Sequence, residues 1–455
     1  MWTTRVTKRM MPVRCGCDYR IEGLRAAGVR GDTPGAEAPL FFLPRVALFV
    51  PLISRWGLSA GLIALAASPL TLPAQSDVSK LELIVRETIG LRRFGYPVLA
   101  DVTLSRGEFR SAEEIGLQEA GRDTPGVQVE GQSFWPDGSV RGARISLNLS
   151  PGPFQSQRFR VVRRSAPAPT PRPAAESTDR EFVVRNTYRI GNRGSDLITS
   201  IRYGDREFLR EPVRLRLSRP GALTHENLNL GISSARLVSA GPVHVEIEMV
   251  GSWQDGETRS PFRITLRQPN SKSWFDLEFQ TRQQRSGPLV VELSAPYRVE
   301  GATALYDYGV GSWVYGMLRG TERSVLAVQR DGRWTLQAPP AAANRGGQQD
   351  YAAAGPRQAR AEGWAHLVEG ARGGRAIAFG SPQLAGGRGG MDGSIGVDAR
   401  GECRLNWLPR SRTVRVQALY HHVNDPVHVS AATSPAAMLN PLEVTVERSP
   451  IGEER

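Results

Sequence analysis

Residues 132–141 read Gln-Ser-Phe-Trp-Pro-Asp-Gly-Ser-Val-Arg, and residues 142–149 continue Gly-Ala-Arg-Ile-Ser-Leu-Asn-Leu. Pro136-Asp137-Gly138 is a strong turn signal, because proline presets φ, aspartate bonds its own downstream backbone and glycine accepts a positive φ. After the turn, apolar and polar residues alternate, which predicts a half-buried strand. The stretch therefore predicts a tight β-hairpin whose returning arm is anchored by Phe134-Trp135. Such a hairpin is usually structural and establishes no activity by itself.

Further segments around this hairpin carry strand signals separated by glycine and proline. They span residues 81–88, 95–104, 114–119, 125–131 and 158–163. Short strands at this spacing are typical of small barrels and sandwiches. We therefore predict a small all-β barrel over residues 77–165.

A proline-rich stretch follows, with proline at positions 167, 169, 171 and 173. Alternating prolines favour an extended, semi-rigid spacer, so we place a linker at residues 166–177. Strand signals return over residues 178–445, where we expect a large antiparallel β-sandwich. Residues 446–455 are expected to form a tail.

One strand of the predicted sandwich shows its two faces clearly. In the stretch that starts at Val243, the side chains of His244, Glu246 and Glu248 fall on the same face, because side chains alternate along a strand. Polar residues on one face and apolar residues on the other indicate an antiparallel sheet with one face in water.

Composition narrows the classes of partner. The chain has 455 residues, with 58 Lys and Arg against 45 Asp and Glu and a net charge of +13. No run of five or more basic residues occurs, which disfavours a nucleic-acid partner. A scattered positive surface suits a polyanion such as an acidic polysaccharide or oligosaccharide. The oligomeric state stays open.

The N-terminal region has the pattern of an export signal. Arg55 precedes an apolar run that ends near Thr71-Leu72-Pro73-Ala74, as in a secretory signal peptide. We interpret residues 1–75 as an extension upstream of the true start followed by this signal, which places the mature protein outside the cell or in the periplasm. An uncleaved membrane anchor is the alternative, but Arg55 interrupts any span of about 20 apolar residues, so no stable membrane span is expected.

Three motifs of the first domain resemble a known family. Gly95-Tyr96-Pro97, Val127-Gln128-Val129 and the Trp-Pro-Asp-Gly-Ser-Val-Arg stretch at 135–141 occur in the order found in the N-terminal RIFT-type barrel of the exo-rhamnogalacturonan lyases. In that family the barrel is an accessory module. The resemblance implies a bacterial carbohydrate-active protein with a RIFT-like barrel followed by a mutarotase-like supersandwich.

The second domain resembles the same family in its strands. Residues 240–251, 262–266 and 274–279 are similar to the supersandwich core, and residues 363–370 and 405–409 to its later strands. Two departures stand out. Gly380-Ser-Pro-Gln-Leu replaces an aromatic-proline segment, and Arg412-Thr413-Val414-Arg415 replaces a Lys-Thr-His-Glu element. The chain also ends without the helical toroid of full-length members, so it resembles a shortened relative.

The resemblance implies elimination at an acidic pectic sugar of the rhamnogalacturonan type. This reaction needs a cation at the uronate carboxylate and a base that removes the C5 hydrogen. Our candidate catalytic residues are Tyr420, His421 and His225. Tyr420-His421-His422 ends a strand and is the densest cluster of such groups, although plain surface histidines or a metal site remain alternative interpretations. His225 lies in a segment that is either a helix start or a site loop.

Aromatic residues supply the candidate substrate contacts, because exposed rings stack on sugars. The glycine-punctuated segment 306–315 contains Tyr306, Tyr308, Trp313 and Tyr315, although alternating aromatic residues are more often core. Arg298 completes the predicted substrate-binding set. We predict no metal and no cofactor; calcium stays open without a motif that supports it. A non-catalytic glycan-binding or surface-assembly protein is the second functional hypothesis.

Overall fold

The computed structural model describes residues 81–164, 173–185, 187–218, 229–255, 258–281, 290–301, 303–309, 316–328, 334–337, 362–370, 374–384, 393–407, 413–423 and 435–448. These residues form antiparallel sheets, with short helical segments at Ala112–Glu114, Pro382–Leu384 and residues 435–439, so the predicted all-β class is confirmed. The signal segment and residues 166–172 of the linker lie outside the described residues. The strands are β1 (Leu81–Arg86), β2 (Tyr96–Thr103), β3 (Ile115–Glu119), β4 (Arg122–Asp123), β5 (Gln128–Phe134), β6 (Val140–Leu149), β7 (Ser156–Arg163), β8 (Ala175–Ser177), β9 (Glu181–Val184), β10 (Tyr188–Gly191), β11 (Asp196–Tyr203), β12 (Arg206–Glu207), β13 (Val213–Ser218), β14 (Asn229–Ala240), β15 (His244–Asp255), β16 (Thr258–Pro269), β17 (Trp274–Thr281), β18 (Val290–Pro296), β19 (Thr303–Asp307), β20 (Gly316–Arg319), β21 (Arg323–Val328), β22 (Trp334–Gln337), β23 (Trp364–Glu369), β24 (Gly374–Gly380), β25 (Gly393–Asp398), β26 (Glu402–Trp407), β27 (Thr413–Val423) and β28 (Glu443–Arg448).

The small module contains a three-stranded sheet, in the order β2-β6-β5, and a five-stranded sheet, in the order β28-β1-β7-β3-β4. The hairpin quoted first joins β5 to β6. Gly138 has a φ of +82°, and the Asp137 carboxylate accepts hydrogen bonds from the backbone N–H (3.0 Å) and hydroxyl (2.6 Å) of Ser139. Of the two predicted anchors, Phe134 is 58% exposed and does not anchor the returning arm, whereas the Trp135 ring is partly buried and its centre lies 5.1 Å from the Arg141 guanidinium of that arm.

The C-terminal strand returns to the N-terminal module. β28 pairs with β1 along its whole length, from Leu81 opposite Arg448 to Arg86 opposite Glu443. Residues 446–448 therefore belong to a sheet, although the sequence analysis assigned them to a tail. The reason is a pairing between strands about 360 positions apart, which no local pattern in either strand encodes.

The large module is a sandwich of two sheets. One has eleven strands, in the order β22-β21-β25-β26-β18-β13-β11-β10-β9-β8 with β12 beside β11, and the other has nine, in the order β14-β15-β16-β17-β27-β24-β23-β19-β20. Residues 175–177, assigned to the linker from sequence, form the edge strand β8. The inward side chains of both sheets form one core, to which β17 contributes Phe275, Leu277 and Phe279.

The outer face of the nine-stranded sheet packs against the small module. Trp274, Trp364, Ala378 and Leu419 point outward from this sheet and join the small module's core. This contact corrects the expectation that the face is fully wet, because His244 on that face is only 1% exposed.

Candidate functional site

Strand order brings two distant histidines together on the outer face of the nine-stranded sheet. His366 lies on β23 and His421 on β27, with β24 between them. In the register of these strands, His366 stands opposite Ala378 and His421 opposite Ala376. Because alanine carries no side chain beyond Cβ, the two imidazoles can meet above β24.

The two rings are in direct contact. Their Nε2 atoms are 3.1 Å apart, and the ring planes lie 18° from parallel with centroids 5.2 Å apart. A hydrogen bond between two imidazoles requires that one of the two nitrogens carry the hydrogen and the other accept it. We call this contact the histidine pair.

The two members of the pair differ in burial. His366 is fully buried, whereas His421 is partly exposed. Burial, together with the neighbouring His421, lowers the pKa of His366 well below its usual value. His366 is therefore neutral at pH 7, and His421 is the ring that solvent and solutes reach.

A carboxylate stands beside the pair. Asp307, at the end of β19, faces His366 across the β19–β23 pairing and is 5% exposed. Its Oδ1 accepts a hydrogen bond from the N–H of Gly309 at 3.0 Å. Gly309 has a φ of +62°, and a Cβ there would lie 2.6 Å from the Trp364 indole, so this turn requires glycine.

The predicted catalytic Tyr420 faces away from the pair. Adjacent residues on a strand point to opposite faces, so Tyr420 enters the sandwich core while His421 faces outward. The Tyr420 ring stacks on Phe275 at 5.9 Å and meets the edge of Phe208 at 6.2 Å. Burial raises the pKa of Tyr420 well above its usual value. As a neutral core phenol, Tyr420 is not placed to act as a base, and we remove it from the candidate site.

The predicted substrate contacts that the structure describes also lie elsewhere. Tyr306 and Tyr308 are 1% and 0% exposed and pack edge to face within the sandwich core, which corrects their assignment as sugar contacts. Arg298 is exposed and follows β18 of the eleven-stranded sheet, where its N–H donates to the Phe208 carbonyl at 2.8 Å. His225, Trp313 and Tyr315 lie outside the described residues.

Sequence reasoning missed His366. Its own segment carries no signal that differs from other strands. Its contact with His421 depends on the order β23-β24-β27 and on the two alanines of β24. The two histidines and the two alanines can be read from the sequence, but their arrangement follows only once the strand order is known.

Charged residues also line this face where it meets the small module. Arg144 of β6 donates to Asp101 at 2.9 Å and lies 3.4 Å from Glu246 of β15, which also accepts a hydrogen bond from Arg267 at 2.6 Å. Arg415 donates from its Nε and Nη2 atoms to the two carboxylate oxygens of Asp276 on the same face. These arginines are thus neutralised by carboxylates of the protein.

A second buried histidine lies in this charged contact. His244 has its Nε2 atom 3.8 Å from the Glu130 carboxylate, and neither ring nitrogen has a hydrogen-bond partner among the described residues. Burial lowers the pKa of His244, against the opposing effect of Glu130 and Glu246.

The described part of the chain holds no group of three or more His, Cys, Asp or Glu side chains arranged to bind a metal ion. Within it, we also find no helix with the length and apolar character needed to cross a bilayer.

No protein-family model matches the chain. Among curated sequences, it is 26% identical over 156 residues to the uncharacterized protein YetA of Bacillus subtilis (strain 168). That match covers 32% of this chain and 18% of YetA.

Solved structures show partial likeness at low identity. A glycosyl hydrolase family 38 protein from Enterococcus faecalis aligns with a TM-score of 0.46 at 10% identity, over 82% of this chain and 48% of its own. The α-galactosidase AgaA of Geobacillus stearothermophilus aligns with a TM-score of 0.25 at 12% identity, over 50% of this chain and 32% of its own. An α-galactosidase from Lactobacillus brevis aligns with a TM-score of 0.26 at 11% identity, over 58% of this chain and 36% of its own. The chain thus spans less than half the length of each.

Proposed function

We propose that the chain is an exported carbohydrate-active protein that acts by β-elimination on an acidic sugar, as its resemblance to the exo-rhamnogalacturonan lyases suggests. The histidine pair carries the proposal, because it combines an accessible imidazole with a buried neutral partner. This deepens the prediction for His421 and adds His366 as a positioning residue. The substrate class is an acidic pectic polysaccharide or oligosaccharide.

In the proposed reaction, the accessible His421 accepts the hydrogen on C5 of a uronate as a proton. The electrons of the broken C5–H bond form the C4=C5 double bond, and the C4–O bond breaks with its electron pair leaving on oxygen. The His366 ring holds His421 in one orientation through the Nε2–Nε2 contact. General-base catalysis of this kind needs no cofactor and contributes roughly 100-fold to 10,000-fold in rate.

Non-catalytic glycan binding is the second candidate, and a specific observation favours it. Elimination requires a cation at the uronate carboxylate, yet Arg144, Arg267 and Arg415 on this face already pair with carboxylates of the protein. If no other cation reaches the sugar, the site binds without turnover.

Incubation with rhamnogalacturonan, followed by ultraviolet absorbance of the unsaturated product, separates the two candidates. We expect product from the wild type and a loss of about 100-fold or more in His421→Gln, the size of a general-base contribution. His244→Gln is the matched control, since His244 is a buried histidine on the same sheet outside the pair. Thermal melting of each variant establishes that it is folded.

Two results would count against elimination. One is a His421→Gln variant that turns over at the wild-type rate. The other is a wild type that yields no unsaturated product but is retained on a glycan array, which would establish the binding function instead.

A further inference from the structure

Two neighbouring loops of the small module expose an unusual amount of apolar surface. Ile89 is 40% exposed, Phe94 64% and Phe154 73%. Together with Arg92 and Lys272, we call this surface the aromatic patch. Single exposed apolar residues are ordinary, but a cluster on adjoining loops marks an interaction site.

The loops that carry the patch are firmly connected. The N–H of Glu87 donates to the Gln155 carbonyl at 2.9 Å, and that of Arg93 to the Pro151 carbonyl at 2.9 Å. The N–H of Gly95 donates to the Ser150 hydroxyl, also at 2.9 Å. The exposed rings are therefore presented by hydrogen-bonded backbone.

Phe154 is held in a backbone conformation that its side chain does not favour. Its φ is +57°, a region where residues other than glycine are uncommon and which often marks functional sites. Its N–H donates to the buried Glu87 carboxylate at 3.1 Å, and its ring covers Gly90, where a Cβ would lie 2.8 Å from the ring. The fold thus maintains a strained residue whose ring remains in solvent.

The charge around the patch is positive. The Arg92 guanidinium lies 5.2 Å from the centre of the Phe94 ring, and the Lys272 ammonium donates to the Phe94 carbonyl. Residues 88–95, 148–155 and 269–273 contain no aspartate or glutamate. The Glu87 carboxylate beneath the loops is buried and pairs with Arg93, so an anionic partner meets the exposed cations of these segments.

The patch adjoins the candidate site. The N–H of Tyr420 donates to the Ser273 carbonyl at 2.9 Å, which places the turn that carries Lys272 beside the end of β27 that carries His421. A ligand that extends along the patch reaches this end of the sheet.

We propose that the aromatic patch binds an acidic oligosaccharide chain and directs it toward His421, an inference that rests on the function proposed above. Phe94 and Phe154 stack on pyranose rings, and Arg92 and Lys272 pair with uronate carboxylates. Lys272 thereby supplies the cation that the paired arginines of the sheet do not offer. Polar side chains lie beside Lys272 of the patch, where the Ser271 hydroxyl donates to the Asn148 side-chain oxygen at 2.9 Å, and such groups suit sugar hydroxyls better than acyl chains.

Binding of polygalacturonate oligomers, measured by isothermal titration calorimetry with dextran oligomers as the neutral probe, tests this assignment. We expect Phe94→Ala and Phe154→Ala each to weaken polygalacturonate binding by about tenfold, the scale of a lost aromatic contact. Arg92→Gln should weaken it too and reduce its salt dependence. Phe134→Ala is the matched control, because Phe134 is an exposed phenylalanine of the same module outside the patch.

The proposal is overturned if both phenylalanine variants bind as the wild type does, or if Phe134→Ala weakens binding equally. It is also overturned if the wild type binds phosphatidylglycerol vesicles but not the oligomers. Because binding is measured without turnover, failure to form unsaturated product would remove the elimination and leave this binding result intact.

Discussion

Replacing Arg93 with methionine tests how the C-terminal strand is held on the small module. The Arg93 side chain is 2% exposed and donates to the Glu87 carboxylate at 3.1 Å. It also donates to the carbonyls of Ala437 at 2.7 Å and Asn440 at 2.9 Å. The last carbonyls of a helical segment have no partner within it, so Arg93 satisfies the end of residues 435–439, just before β28. One guanidinium therefore joins β1's loop to the returning chain.

The expected loss is large for a single substitution. Methionine keeps the apolar length of the side chain but leaves a buried carboxylate without its cation, which costs about 3–5 kcal/mol. This is a substantial part of the roughly 5–15 kcal/mol that stabilises a typical domain. Arg92→Met is the matched control, because the adjacent Arg92 is exposed and we expect its replacement to change the free energy of unfolding by less than about 0.5 kcal/mol.

The loss should also depend on pH. Burial by itself raises the pKa of Glu87, but hydrogen bonds from Phe154, Arg93, Ile89 and Gly90 outweigh it, and the pKa lies below its usual value. A depressed carboxyl pKa contributes stability that is present above the unfolded value of about 4.3 and is lost as pH falls through the folded value. The difference between wild type and Arg93→Met should therefore shrink on acidification.

Urea unfolding at pH 7 measures the loss in the free energy of unfolding of Arg93→Met. Hydrogen exchange over residues 443–448 shows whether β28 opens first. Equal midpoints for Arg93→Met and Arg92→Met would refute the reasoning. So would unchanged protection of β28 in a destabilised Arg93→Met protein, since the loss would then not arise where the structure places it.

Three further predictions concern the buried polar groups. Gln128→Ala leaves the N–H groups of Val243 and His244 without the oxygen that accepts them at 2.9 and 3.1 Å, and should lower the free energy of unfolding by about 2–3 kcal/mol in urea titration. Burial and the adjacent histidine lower the pKa of His366 in the folded chain. On acidification, the His366 imidazole therefore binds a proton in the unfolded chain before it does so in the folded chain. As the pH is lowered below about 6.5, the melting temperature of the wild type should therefore decrease, and it should decrease less steeply in His366→Gln. Burial raises the pKa of the Cys403 thiol, so mass spectrometry should find its peptide alkylated by iodoacetamide only in denaturant.

Local sequence patterns were sufficient wherever the structure depends on neighbours in the chain. The turn at Pro136-Asp137-Gly138 forms because its residues satisfy its own dihedral angles and hydrogen bonds. In β6, Ile145 and Leu147 are buried and Asn148 is exposed, as alternation predicts. Ser146, on the polar face, is nevertheless 1% exposed. Alternation identifies which residues share a face, but not whether another element covers it.

What the sequence did not reveal depends on contacts between distant segments. β1 pairs with β28, and His421 contacts His366, although the members of each pair are dozens to hundreds of residues apart in the chain. From the sequence, Tyr420 and His421 were equally good catalytic candidates because they are neighbours in the chain. The orientation of β27 places the Tyr420 phenol in the core and the His421 imidazole on the outer face. Residue type indicates what a side chain can do, and strand order decides where it does so.

The small module gives the outer face of the sheet its chemical character. Gln128 and Glu130 of the small module contact His244, whose pKa burial lowers. His244 and His366 are both buried, and His421 is partly exposed beside the turn that carries Lys272. Among the described residues, this rim is where the partly exposed ring of the pair adjoins the turn that carries Lys272. Gln128→Ala, whose lost hydrogen bonds go to Val243 and His244 rather than to the histidine pair, should therefore lower stability while the folded protein keeps its activity, as in the His244→Gln control.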